Sequence, residues 1–237
     1  MDTKTIFKVF GCFRDEVKKT FEESLTKQDW KELTPSEYAV VIATWSSSDF
    51  KKTFCDHMTK EQILYAFSAA CDKITWKFIG GLTKDDWYSM TRAEWNAFAE
   101  GLGSSGFKKI LDGASTEELM GIFSQLDLEN IIAYYDGLTD EDWEQTTPAE
   151  WRLIGYTWSS QDFKQYILDE CTTEQIVGIF SNFGEDLYRK YYEGLNDEDW
   201  EAFTPAEWRA AFVTWAPSDF KKYIFDEMTE DEIEWLC

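Results

Sequence analysis

A chain of 237 residues with 43% hydrophobic and 17% aromatic side chains, 12 of them Trp, has enough apolar surface to bury one or two cores and is not a disordered acidic polymer. Its 46 acidic residues face 23 basic ones, and the net charge of −23 argues against direct binding to nucleic acid or to an anionic membrane, leaving basic proteins or cations as partners. No apolar run approaches the ~18–20 residues of a membrane span, and the opening MDTKTIFKVFGCF lacks the basic-then-apolar order of a secretion signal.

The chain repeats itself. LTKQDW at Leu25 returns as LTKDDW at Leu82, LTDEDW at Leu138 and LNDEDW at Leu195, at spacings of 57, 56 and 57 residues. Val9–Leu25 aligns without gaps to Ile179–Leu195. The units are therefore framed as 2–58, 59–114, 115–171 and 172–228, with 229–237 a partial fifth copy. Ile233, Trp235 and Leu236 of that fragment are expected to cap the fourth unit's core, which favours a monomer; docking on another copy, as a head-to-tail oligomer, is the alternative. The five cysteines (12, 55, 71, 171 and 237) do not recur with the period. They form no repeated disulfide or metal framework, and reduced thiols in a cytoplasmic setting are expected.

Taken in chain order, the first unit carries a helix through Val17 and Phe21, apolar at i and i+4. Pro35 stands at the first position of a later helix, where a missing N–H costs nothing. His57, the only histidine, lies just before the capping pair Met58–Thr59, with no nucleophile in a recognisable setting. In the second unit GLGSSG (Gly101–Gly106) matches a dinucleotide fingerprint letter for letter. It aligns, however, with TWSSSD at Thr44 and TWSSQD at Thr157, and is read as a turn between two helices rather than a phosphate loop in a βαβ unit.

The third unit shows the start signature most clearly: an apolar residue, a capping residue, an acid or Gln three places on, then an apolar residue. Leu138–Thr139–Asp142–Trp143, Trp158–Ser159–Asp162–Phe163 and Cys171–Thr172–Gln175–Ile176 all read this way, as does TPAEW, with Thr147 as cap, Pro148 first and Glu150 third before Trp151. In the fourth unit Pro205 and Pro217 repeat the proline slot, and Leu187–Tyr191 repeats the helix that lacks the signature. About five short helices per unit follow. Helices of this length are marginal alone, so the expectation is an all-α tandem repeat stacked as a solenoid-like or ring-like array. The series Trp30, Trp87, Trp143 and Trp200 is assigned to packing, and the acids at the third helical position to capping.

Recognisable chemistry is missing. There is no P-loop, no HExxH and no EF-hand loop. Consecutive acids such as Asp140, Glu141 and Asp142 splay around a first helical turn instead of converging on a cation. No enzyme activity, cofactor or metal site is expected.

Charge is the feature the architecture does not require. Units 2–58 and 59–114 carry −1 and 0, units 115–171 and 172–228 carry −11 and −7, and the tail adds −4. Capping acids do not explain this, because Asp29, Glu37, Asp86 and Glu94 stand in the neutral half. The excess falls in particular slots. Lys27-Gln28 and Lys84-Asp85 become Asp140-Glu141 and Asp197-Glu198; Lys31 and Tyr88 become Glu144 and Glu201; Asp56-His57 and Asp112-Gly113 become Asp169-Glu170 and Asp226-Glu227. These ten acids are the candidate partner-binding surface. They are expected to imitate phosphates and occupy the basic groove of a nucleic-acid-acting protein such as a nuclease, CRISPR effector, restriction enzyme or repair protein. The alternative is a repeat scaffold that holds a protein or peptide on an aromatic concave face.

Overall fold

The computed structural model describes residues 32–216 together with Val9, Cys12, Thr20 and Asp29. The expected helix through Val17 and Phe21, Trp30, Pro217, Asp226, Glu227 and the tail 229–237 lie outside the described residues. Every described element is helical: fifteen α-helices, one 3-10 turn and one π turn, with no strand among the described residues. The chain divides into two compact units, Met1–Asp112 with Ile122–Thr139, and Gly113–Gly121 with Asp140–Cys237.

The first unit holds α1 (Pro35–Thr44), α2 (Ser47–Thr53), a 3-10 turn (Cys55–His57), α3 (Lys60–Phe67), α4 (Asp72–Gly80), α5 (Lys84–Tyr88) and α6 (Arg92–Leu111). Helix α7 (Thr116–Phe123) crosses the division, and α8 (Leu128–Asp136) completes this unit. In the second are α9 (Asp140–Glu144), α10 (Pro148–Thr157), α11 (Ser160–Phe163), the π turn (Lys164–Leu168), α12 (Thr173–Phe180), α13 (Glu185–Glu193), α14 (Asp197–Glu201) and α15 (Pro205–Thr214).

Reciprocal caps start these helices where the sequence places them. Thr91 N–H donates to Glu94 Oε2 at 2.8 Å and Glu94 N–H to Thr91 Oγ1 at 3.3 Å. The same box forms at Thr147 with Glu150, Thr172 with Gln175, Asn196 with Asp199 and Thr204 with Glu207. Each cap contributes roughly 1 kcal/mol, enough to matter for helices of five to ten residues. Helices α4, α8 and α13, which lack the signature, have no side-chain cap bond.

Aromatic packing fills the interiors. In the first unit Phe78 meets Phe50, Phe67 and Phe98 at 5.7, 5.2 and 6.3 Å between ring centroids. In the second, Phe180 meets Phe183 and Tyr191 at 5.4 Å each. The tryptophans pair as the packing assignment requires: Trp87 with Trp95 at 5.8 Å, Trp143 with Trp151 at 6.1 Å and Trp200 with Trp208 at 6.0 Å.

GLGSSG lies within α6, whose helical path breaks at Gly103 (φ 65°, ψ 174°). Only glycine adopts that conformation readily, so the stretch is a sharp turn inside helical surroundings. A second glycine series serves close approach. A Cβ on Gly81, Gly137 or Gly194 would collide with the hydroxyl of Ser47, Ser104 or Ser160. These glycines precede the repeated Leu, and each lets a helix end approach the serine of the preceding sequence copy: Ser104 Oγ donates to Ala133 O at 3.0 Å and Ser160 Oγ to Lys190 O at 3.4 Å.

Candidate functional site

Two buried lysines separate the acids that build the fold from those that do not. Lys51 is fully buried at the end of α2, and its Nζ lies 2.5 Å from Asp56 Oδ1 and 3.4 Å from Glu94 Oε1, and donates to Ser89 O at 3.2 Å. Lys164 repeats every contact: 2.5 Å to Asp169, 3.4 Å to Glu207 and 3.2 Å to Ala202 O. Glu94 and Glu207, 1% and 2% exposed, are at once helix caps and counter-ions. Burial raises both above the ordinary carboxylate range, against the pull of their capping bonds and the neighbouring lysine. Lys51 is raised in spite of its own burial, because Asp56 and Glu94 favour its charged form.

Asp169 therefore has an internal partner, and its counterpart Asp56 does the same work in the neutral half. The signal was present in the sequence: unit 115–171 has only two basic residues, Arg152 and Lys164, and Lys164 directly follows the repeated Phe, as Lys51 does. A lysine kept where nearly every other cation has been lost marks a structural requirement.

Three other cations of the second unit are also bonded. Arg152 donates to Asn182 O at 2.6 Å, Arg189 pairs with Glu185 at 3.2 Å, and Lys190 Nζ donates to Gly155 O at 2.9 Å and Tyr156 O at 2.6 Å at the end of α10. That last placement sets a cation on the negative end of a helix.

The acids at the variable slots have no such arrangement. Asp140, Glu141, Glu144, Glu170, Asp197, Glu198 and Glu201 are all exposed, and none forms an ion pair among the described residues. Glu141 accepts one bond from Gln145, at 3.3 Å. Neither α9 nor α14 contains a fully buried residue, although Trp143 and Trp200 are half-buried. Three acids occupy the first turn of each helix, and in α14 the third, Asp199, does the capping: Asn196 N–H donates to it at 2.9 Å. Asp197 and Glu198 remain directed to solvent. Among the described residues no cluster of three or more His, Cys, Asp or Glu side chains is arranged to hold a metal ion.

No protein-family model, curated protein or solved structure matches the chain.

The second unit also contains a pocket that sequence reasoning did not locate. It encloses about 540 Å³ between α13, α14 and the end of α15, within the range of small-ligand and side-chain sites. The ring planes of Tyr188, Tyr192 and Trp200 are nearly parallel, successive pairs lying 10° and 18° apart, with centroids at 6.3 and 5.8 Å. Trp215 stands across them, at 86° to Tyr192 and 87° to Trp200. Burial raises the Tyr188 and Tyr192 phenols above their ordinary value. Glu185, Arg189 and Glu193 form the charged part of the lining.

Proposed function

We propose that this protein is a non-enzymatic inhibitor whose acidic half docks in the basic groove of a nucleic-acid-acting protein. What carries the reading is a division of labour among carboxylates. Glu94, Glu150, Asp169, Asp199 and Glu207 are engaged in caps or lysine pairs, while Asp140, Glu141, Glu144, Glu170, Asp197, Glu198 and Glu201 are exposed without an internal cation. Acids fixed on short capped helices, in a region where Arg152, Lys164, Arg189 and Lys190 are already bonded, present a negative field to a partner instead of to the chain itself. Asp226 and Glu227 extend the same slots. The four sequence copies would stack as a solenoid-like array, aligning equivalent slots into ridges, and the protein would act in the cytoplasm as a monomer.

The test is capture of partners from native lysate by the tagged protein, with washes at about 0.1 M and then about 0.5 M salt, a range that screens most surface electrostatics. A nucleic-acid enzyme held at low salt and released at high salt is expected. The variant Asp140→Lys, Glu141→Gln, Asp197→Lys, Glu198→Gln, which restores residue types of the neutral copies, should lose it while remaining folded. Unchanged capture by that variant would refute the docking surface. A partner retained through the high-salt wash and lacking a basic groove would favour the scaffold reading.

A further inference from the structure

We infer that the aromatic pocket of the second unit receives an arginine side chain of the docked partner. The inference rests on the docking reading above and supplies its anchor.

Three observations converge on a planar cation. The walls are the half-buried rings of Tyr188, Trp200 and Trp215 around the buried Tyr192, with Trp215 set at 86° to Tyr192 and 87° to Trp200. Aromatic faces carry negative potential and attract a guanidinium, which also stacks on them. Glu193, an exposed residue of the lining, makes no ion pair among the described residues, whereas Glu185 on the same helix already holds Arg189 at 3.2 Å. A guanidinium entering between the rings would reach a carboxylate with fork geometry available. An anionic occupant would face the sequence copy 172–228, of net charge −7, and a purely apolar one would desolvate Glu193 with nothing in exchange.

The repeat provides an internal control. In the second copy the positions of Phe183, Tyr188, Tyr192 and Trp215 hold Ala70, Thr75, Ile79 and Leu102, and Glu193 is replaced by Gly80. With Ala70 and Thr75 at the positions of Phe183 and Tyr188, the repeat's packing alone does not call for this set of rings. The rings and the carboxylate occur together in an acidic copy, where a basic partner would bind.

The experiment is a calorimetric or NMR titration of the full chain with Nα-acetyl-arginine N-methylamide, beside its citrulline and lysine analogues. The arginine compound should bind roughly tenfold more tightly than the uncharged citrulline isostere and more tightly than lysine. Glu193→Gln and Trp215→Leu should each weaken it by roughly three- to tenfold. The four-site acidic variant should leave it within about twofold. Glu193 is exposed, so E193Q remains informative even where W215L perturbs folding. Equal binding of citrulline or lysine, or indifference to E193Q, overturns the assignment, and so does a parallel loss in the four-site variant, which would reveal diffuse attraction. Failure of the docking reading looks different: partner capture would survive the four-site variant, whatever the titration shows.

Discussion

Replacing Lys164 with Met tests the central claim about which acids are architectural. Its ammonium group bridges Asp169 at 2.5 Å and Glu207 at 3.4 Å, with the lysine side chain 4% exposed and that of Glu207 2% exposed. Methionine fills a similar volume but leaves Glu207 buried without its cation. Removing one partner of a buried pair costs about 3–5 kcal/mol, a large share of the roughly 5–15 kcal/mol that holds a domain together. The double variant Lys164→Met/Glu207→Gln should regain most of the loss, because Gln serves the same capping box elsewhere: Thr172 N–H donates to Gln175 at 2.8 Å. Urea unfolding at pH 7 reads both values. The deficit of K164M should narrow as the pH falls. Burial raises Glu207 in the folded state, so protonation relieves the buried charge below that raised value while both folded and unfolded forms are neutral at lower pH. A loss below about 1 kcal/mol, or a double variant no more stable than the single one, would refute the assignment of a buried, load-sharing pair.

Asp169 and its neighbour Glu170 should part company under substitution. Asp169→Asn is expected to cost about 1.5–3 kcal/mol of stability through the lost charged bond to Lys164, whereas Glu170→Gln should lie within about 0.5 kcal/mol, as chemical denaturation would show. Asp86 supplies a pH test. Its burial opposes ionisation, but bonds from the Ser48 and Thr83 hydroxyls and the Thr83 backbone, with Lys52 nearby, outweigh that and hold it at about 2 instead of 3.8. The stability it contributes is present above the unfolded value and is lost as pH falls through the folded one. Asp86→Asn should therefore cost about 2 kcal/mol at pH 7, with the gap closing toward pH 2 in urea titrations. At Gly103 the backbone (φ 65°, ψ 174°) disfavours any side chain although the space is open. Gly103→Ala should then cost roughly 1–3 kcal/mol, and an unchanged melting temperature would show that the turn relaxes freely.

Helix starts were legible because they depend on residues three or four positions apart. Thr147 with Glu150 and Thr204 with Glu207 meet within one turn, whatever surrounds them. The same locality hid the second role of Glu207: Lys164 is 43 residues away, and no local rule joins them. Repetition offered the missing information, since Lys51 and Glu94 have the same separation. Glycine was a similar case. Gly81, Gly137 and Gly194 recur before the repeated Leu, but only the facing serines explain why a side chain cannot stand there. The pocket was least legible. Tyr188, Tyr192, Trp200 and Trp215 each look like ordinary core positions, and the space among them follows from ring orientations that spacing does not encode.

The remaining question is why so many acids stand on α9 and α14. At the first turn of a helix an acid gains about 0.3–1 kcal/mol from the backbone dipole, which gives the architecture a claim on Asp140, Glu141, Asp197 and Glu198. That claim is weak, because Lys84 occupies the equivalent first position of α5 and α5 still forms, capped by Thr83 and Asp86. Glu144 and Glu201 weaken it further: both sit at the last helical position, where the dipole disfavours an acid. Helix chemistry would thus place opposite charges at the two ends, and the acidic copies place the same charge at both. Crowding like charges also costs stability through self-repulsion. The fold gains little from these carboxylates and at the C-terminal helix ends loses by them, so helix formation does not account for their pattern, and the docking proposed above is a use that would.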